Sequence, residues 1–418
     1  MQAATERDVT ADAVRDERVD EEGDGGDGAP WWSSPAWGLP MAVYGAVFAV
    51  LVVVSWQVIT HITVTPDGVP PVEFRGEWFW DGWVRYDAGW YTMIVDNGYS
   101  YTPGTQSPVA FFPGYPLLVR AVSRVIDNTP LAGIAVTVAC GAGAVVLFHR
   151  WCRDRLDPRA SATALLCLAL YPYAYYLYGA MYGDALFLLC AVGAFLAFER
   201  DHLLLAGLAG AVATGTRLVG VAVVVGLVVG VCERRGVFAR AEDRRVPRLH
   251  LDRLRLRDGW VLLSLGGLAA WSGWLWARYG DPLLFSTVQE SWGQQAGPAT
   301  WVKRDFFLSV IQRPERFYSM GLVIQAAFGL AVAASILPVA RRFGWRYGAY
   351  VGALVLVPAV GSQDFQGLGR YLLGAFPSFA LAGVLLAGRP GVRRAVLPLS
   401  AAVLVVFAGM FANGRYIS

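Results

Sequence analysis

Residues Glu77 to Pro116 read EWFWDGWVRYDAGWYTMIVDNGYSYTPGTQSPVAFFPGYP. The stretch sets Asp81, Asp87 and Asp96 among aromatic residues, directly after one long apolar run and well before the next. Ionisable groups beside lipid are costly and mark function by default, so this is where the chain meets a polar partner at a membrane surface. From the loop alone, all three carboxylates are candidates for a general base. Their plainer roles are to cap a helix or to pair with Arg85.

The rest of the chain sets that loop in a membrane. Of 418 residues, 56% are hydrophobic and 16% charged, and the mean hydropathy is +0.44, which is too apolar for a water-soluble globule. A helix needs about 20 apolar residues to cross the hydrocarbon layer. Runs approaching that length cover Trp37–His61, Leu131–Phe148, Ala160–Leu177, Ala185–Phe198, Leu203–Thr214, Leu218–Val231, Trp260–Trp276, Gly321–Ala340, Tyr347–Val360, Tyr371–Ala387 and Ala395–Phe411. They predict an all-α polytopic membrane protein with about eleven spans. Residues 1–36 mix Asp, Glu, Arg and Gly, and read as a disordered acidic tail with no signal-peptide pattern.

Arginine orients the spans, because short loops rich in Arg stay on the cytoplasmic side. Arg150–Arg159, the basic loop 233–258, Arg341–Arg346 and Arg389–Arg394 fall on one side only if the chain turns at Arg217. The amino terminus joins them inside. The segments 63–130, 279–319 and Gly361–Arg370 then lie outside, in a plasma membrane. Val109 to Val125, with Pro113, Pro116, Arg120 and Arg124, reads either as a helix lying in the interface or as the lead-in to the second span.

Three further charges stand where lipid makes them expensive. Asp184 opens a span beside Tyr182 and either positions an acceptor or caps its helix. Arg217 and Arg370 need an anion, which a lipid phosphate would supply through charge-assisted hydrogen bonds; ordinary snorkelling to headgroups is the alternative. His61, His149, His202 and His250 are scattered, and no outer loop holds a DxD-like run, so no metal is expected. Cys140, Cys152, Cys167, Cys190 and Cys232 read as small buried hydrophobes. Nothing points to nucleic acid. In the second outer loop Trp292, Trp301, Gln289, Glu290, Gln294 and Gln295 suit stacking on sugars, although interfacial anchoring explains such Trp residues more often.

Val84-Arg85-Tyr86-Asp87-Ala88, then Asn97-Gly98-Tyr99, then Ala110-Phe111-Phe112-Pro113-Gly114-Tyr115-Pro116 resembles the first outer loop of the GPI mannosyltransferase 2 (PIG-V-like) family, roughly R-W-D-a-x-H, G-Y, A-F-F-P-x-x-P. Tyr171-Pro172, Tyr182-Gly183-Asp184-Ala185-Leu186-Phe187, Thr216-Arg217-Leu218-Val219-Gly220 and Gly369-Arg370-Tyr371 with Phe376-Pro377 are similar to its later segments. The sequence departs at Trp90, where the family has histidine, and at Asp184, where it has glutamate.

The resemblance implies a GT-C fold and an inverting transferase that moves mannose from a polyprenyl-phosphate-mannose donor to an outer hydroxyl of a glycan or glycolipid acceptor. It also singles out Asp87 as the base, with Asp81 as fallback. Substrate contacts would fall to Arg85, Asp184, Arg217, Arg370, Tyr371, Trp90, Tyr99, Phe112 and Pro113, without a cofactor. The chemistry asks for the same parts: a base for the acceptor proton, positive charge for the departing phosphate and an apolar groove for its lipid. The Arg-rich, Lys-poor composition is bacterial in character and argues against a eukaryotic GPI acceptor. A lipid or sugar transporter or flippase is the rival from another class, and a GT-C transferase for a different sugar is the rival within this one.

Orientation is open to a direct check. A cysteine introduced at Ser100 in intact cells is expected to react with a thiol reagent that cannot cross membranes; reaction only after the cytoplasm is opened would reverse the topology.

Overall fold

The computed structural model describes residues 37–62, 78–237, 250–294, 297–313 and 316–415. The acidic tail, residues 63–77 of the first outer segment, the central part of the 233–258 basic loop (238–249) and Gln295 lie outside the described residues.

Among the described residues the fold is helical, without strands. Helix α1 (Gly38–His61) is followed by the short α2 (Trp78–Asp81), by α3 (Asp87–Asn97) and by α4 (Gly114–Ile126). Then come α5 (Thr129–Arg153), α6 (Pro158–Ala169), α7 (Asp184–Glu199), α8 (Leu203–Thr216) and α9 (Val221–Arg235). A 3₁₀ segment, Leu256–Leu265, leads into α10 (Gly266–Tyr279), and short α11 (Leu284–Thr287), α12 (Pro298–Trp301) and α13 (Arg304–Gln312) follow. The chain closes with α14 (Phe317–Phe343), α15 (Trp345–Gly361), α16 (Leu368–Tyr371), α17 (Phe376–Ala387) and α18 (Pro390–Ala412).

Each expected apolar run is helical over most of its length, but the lengths divide them. Gly38–His61, Thr129–Arg153, Leu256–Tyr279, Tyr318–Phe343 and Pro390–Ala412 are long and apolar enough to cross a bilayer, and Leu368–Gly374 with Phe376–Ala387 forms a further pair bent by 81°. This is a multi-pass membrane protein. Helices α7, α8 and α9 have 16, 14 and 15 residues, short of the ~20 that match the hydrocarbon thickness. The run expected over Ala160–Leu177 stops as an α-helix at Ala169 and continues as a turn and a 3₁₀ piece, Ala174–Leu177. Pro172 removes a backbone donor there and disfavours helical geometry in the residue before it.

The core lies where α5, α7 and the Tyr171–Tyr182 connection meet. Tyr173, Tyr175, Tyr176 and Tyr178 are fully enclosed, and the Tyr44 hydroxyl of α1 donates to the Leu177 carbonyl at 2.7 Å, closing a backbone group that the broken helix leaves open. Helix starts follow local rules: Asn128 accepts from Leu131 N at 2.9 Å at the head of α5, and Asp157 accepts from Ala160 N at 3.0 Å at the head of α6.

Val109–Val125 resolves into a 3₁₀ turn and α4, a separate helix ending at left-handed Asp127. Tyr115, Pro116 and Val119 face inward, while Leu117, Arg120, Arg124 and Val125 are exposed, the two-faced pattern of a helix at an interface.

Two of the three loop carboxylates have structural posts. Asp81 is buried and pairs with Arg85 at 2.8 Å, and Arg85 in turn donates to the Ala412 carbonyl at 2.9 and 3.2 Å. Asp96, exposed, accepts from Thr129 at 2.6 Å. Arg85 therefore fastens the first segment to the end of α18, and Asp81 is committed to Arg85. Replacing Asp81 with Ala strands a buried guanidinium, a loss of about 3–5 kcal/mol. The unfolding midpoint in detergent is expected to fall sharply for Asp81→Ala and to hold for Asp96→Ala; equal midpoints would contradict the assignment.

Candidate active site

Four charged side chains from distant parts of the chain converge at one end of the bundle. Asp87 is the first residue of α3, and Asp184 the first of α7, so the helix dipoles favour both carboxylates. Arg217 caps the carboxyl end of α8 in an extended conformation, where a cation is favoured in the same way. Arg370 lies on α16, next to the bend that leads into α17. The break expected at Arg217 is present, and it turns this side chain toward the cluster.

The charges pair in a closed set. Arg370 Nη1 donates to Asp87 Oδ2 at 2.8 Å, and its Nε stands 4.0 Å from Asp184 Oδ2. Arg217 donates to Asp184 Oδ1. Two cations against two carboxylates leave no net charge, which makes burial of Arg370, Arg217 and Asp184 tolerable. Only one member is well reachable: the Asp87 side chain is 25% exposed and that of Asp184 3%. Arg370 Nε is enclosed without a hydrogen-bond partner. An orphaned buried donor is uncommon and asks for a reason.

Tyrosines wall the cluster. The Arg370 guanidinium lies 4.9 Å from the Tyr182 ring and 5.5 Å from those of Tyr176 and Tyr371, and Arg217 lies 4.4 Å from Tyr371. Aromatic faces attract cations without neutralising them. Burial pushes the Tyr91 phenol up to about 12, with the Asp87 charge acting the same way and Arg217 and Arg370 against it. It stays protonated at neutral pH, one turn from Asp87.

The backbone before Asp87 is strained. Tyr86 has φ 57° and ψ −112°, a region that side chains rarely occupy and that persists only where the surroundings hold it. The holding group is the Tyr182 hydroxyl, which accepts from Asp87 N at 3.1 Å and donates to the Arg85 carbonyl at 3.0 Å. Tyr176, Tyr91 and Tyr182 were not among the site residues read from the sequence. Tyr176 and Tyr182 belong to the dense run of tyrosines between Tyr171 and Tyr182, and Tyr91 follows Asp87 in the opening stretch.

The other expected contacts separate into two groups. Tyr371 belongs to the cluster. Trp90, on α3 beyond Asp87, packs its ring 5.8 Å from Phe111 and 5.7 Å from Trp292, so the second loop reaches the first here. Tyr99 donates to the Phe111 carbonyl at 3.0 Å and lies 4.7 Å from Trp271. Phe112 is buried against Trp271 and Phe285, and Pro113 heads α4. The contacts of these three are within the loop and with α10 and α11, not with the four charges.

Two glycines of the motif have a geometric reason. Gly98 has φ +82°, where glycine alone is unstrained. A Cβ on Gly114 would stand 2.7 Å from Thr216 Oγ1 and 2.9 Å from the Gly215 carbonyl carbon, so α4 can approach the Arg217 turn only without one. Among the described residues no group of three His, Cys, Asp or Glu side chains could hold a metal ion.

The helical bundle has the GT-C fold. Among solved structures, ArnT from Cupriavidus metallidurans bound to undecaprenyl phosphate aligns over 90% of this chain and 76% of its own, at 14% identity and a TM-score of 0.50. The oligosaccharyltransferase AglB from Archaeoglobus fulgidus, in complex with an inhibitory peptide and a dolichol-phosphate, aligns over 89% of this chain at 13% identity and a TM-score of 0.41. The chain spans 56% of that protein's length. No protein-family model and no curated protein sequence matches the chain.

Tyr182→Phe removes a buried hydroxyl and leaves Asp87 N short of a partner, while the Arg85 carbonyl keeps Ala88 N at 3.2 Å, at a cost of about 1–3 kcal/mol. A lower unfolding midpoint in detergent is the expected outcome, and an unchanged one would mean that the Tyr86 turn is held by something else.

Proposed function

We propose that the protein is a glycosyltransferase that takes a sugar from a polyprenyl-phosphate donor and passes it to an acceptor hydroxyl, with Asp87 as general base. The observation that carries this reading is the neutral set of two carboxylates and two guanidiniums, in which one carboxylate is reachable and one guanidinium keeps a free donor. The GT-C fold and the undecaprenyl phosphate bound by ArnT support the class of donor.

The reaction needs few parts. Asp87 takes the proton of the acceptor hydroxyl as its oxygen attacks the anomeric carbon. The bond from that carbon to the phosphate oxygen breaks with its electron pair, and polyprenyl phosphate leaves. Attack from the face opposite the leaving group inverts the anomeric centre. Arg370, through the donor it has free, and Arg217 stabilise the charge that develops on the phosphate.

Arg370 also stands against Asp87. A phosphate that draws the guanidinium toward itself would weaken that pairing and free the carboxylate to accept a proton, so that donor binding and base activation go together. Asp184, buried and paired with Arg217, holds that guanidinium in place and is too enclosed to serve as the base.

Mannose is the sugar that the resemblance of Arg85-Tyr86-Asp87 and Phe111-Phe112-Pro113 to the PIG-V-like family supports. The acceptor is a glycan or glycolipid at the extracytoplasmic face of the plasma membrane. Trp90 and Trp292, at the edge of the cluster, offer it aromatic surface.

Asp87→Asn keeps the shape and removes the base. In membranes supplied with radiolabelled polyprenyl-phosphate mannose and a lipid extract, transfer is expected to fall by about 10²–10⁴-fold. Binding of undecaprenyl phosphate should persist, and undiminished transfer would exclude Asp87 as the base.

A further inference from the structure

Lys303 is the chain's only lysine, and it is buried, at 7% exposure, between α12 and α13. An exposed lysine costs nothing; a buried one needs all three ammonium protons placed. Lys303 places them on the loop that joins α15 to α16. It donates to the Ser362 carbonyl, to the Asp364 carbonyl at 3.2 Å and to Ser362 Oγ at 3.4 Å. Its ammonium stands 5.3 Å from the Phe365 ring. The backbone of Lys303 is left-handed, at φ 56° and ψ 40°, an uncommon conformation for a residue of this kind.

The neighbours close the same loop from the same side. Gln363 N donates to Gln294 Oε1 at 2.8 Å, and Phe306 packs on Phe365 at 5.0 Å. Asp364 accepts from Tyr318 at 2.6 Å and from Gln366 N at 2.9 Å. The loop then turns at Gly367, with φ +79°, and delivers Arg370 one turn later on α16. The approach to Arg370 is held from two sides: Lys303, Gln294 and Phe306 hold residues 362–365, while Tyr318 of α14 holds Asp364 and Gln325 of α14 accepts from Gly369 N at 3.1 Å.

We propose that Lys303 is the positioning residue for Arg370: it clasps the Ser362–Gly367 loop so that the guanidinium is held over Asp87, ready for a phosphate. The inference rests on the reading of Arg370 as the phosphate ligand. It assigns to the segment around α12 and α13 a share in capturing the donor, although that segment does not supply a group to the cluster. By linkage, a phosphate on Arg370 must tighten the clasp as much as the clasp favours the phosphate. Burial lowers the pKa of Lys303 below the usual lysine range, partly opposed by Asp364; opening the clasp lets a reagent reach the amine and removes the cause of that shift.

Two measurements on the full chain in nanodiscs test this. The first is the affinity for undecaprenyl phosphate of Lys303→Met, Arg370→Ala and the double variant. Lys303→Met is expected to weaken binding about tenfold, and to add almost nothing once Arg370 is absent. Normal binding by folded Lys303→Met, or full additivity with Arg370→Ala, would overturn the positioning role while leaving the phosphate reading intact. Normal binding by Arg370→Ala would remove both.

The second measurement uses the unaltered protein, which keeps the test decisive if Lys303→Met does not fold. Acetylation of Lys303, read by peptide mass spectrometry apart from the terminal amine, is expected to slow severalfold with saturating undecaprenyl phosphate and not with inorganic phosphate at the same concentration. A rate that undecaprenyl phosphate leaves unchanged would overturn the clasp.

Discussion

A guanidinium enclosed by protein must have an anion, and much of this structure serves to give Arg370 one. Moving an unpaired ion out of water costs several kcal/mol even after the protein relaxes. Asp87 at 2.8 Å and Asp184 at 4.0 Å meet that demand, and Arg217 balances the second carboxylate. The pairing holds only if the starts of α3 and α7, the end of α8 and the whole of α16 meet at one end of the bundle. Aromatic rings from the Tyr171–Tyr182 connection then fill the space that water would otherwise occupy.

The opposite end of the bundle is closed by a comparable device with a different consequence. Glu199 accepts from Arg155 and from the Tyr347 hydroxyl, and Trp151 donates to that hydroxyl at 2.7 Å. These groups tie α5, α7 and α15 together, and the carboxylate is engaged on both oxygens. An enclosed guanidinium Nε lacks a partner at both ends, Arg370 at the Asp87 end and Arg346 at the opposite one, but Asp87 is paired on one oxygen only and is 25% exposed, against 17% for Glu199. That difference separates a clasp from a site.

Much of this was legible in the residues. Apolar runs announce the helices of the bundle, because a membrane segment must satisfy its own backbone and is apolar on most faces, whereas α3, which carries Asp87, and α4 lie outside those runs. The break at Arg217 could be read from the placement of arginines, since one fused span would have put the 233–258 loop on the wrong side. Asp87, Asp184, Arg217 and Arg370 were each conspicuous as charges beside lipid, and they do meet. What could not be read was the pairing. Arg85 looks like a site residue because it stands two positions before Asp87, yet its partners are Asp81 and a carbonyl 327 positions away. Tyr182 acts through a hydroxyl that bridges the Tyr86 turn, and no spacing rule announces such a contact. Tyr99, Phe112 and Pro113 share the motif with Asp87 because the motif is a folded unit, part chemistry and part packing. Helices α7 to α9, of 16, 14 and 15 residues, each run slightly longer than the apolar stretch that announces them, since hydropathy reports apolarity and not where a helix ends.

The most direct test of the central claim is where a polyprenyl phosphate binds. Cryo-EM of the protein in nanodiscs with undecaprenyl phosphate should show the phosphate within hydrogen-bond distance of Arg370, about 3 Å, between Arg217 and Asp87, with the Arg370–Asp87 contact lengthened. A phosphate held elsewhere, for instance among the arginines at the opposite end, with Arg370 still seated on Asp87, would contradict the account.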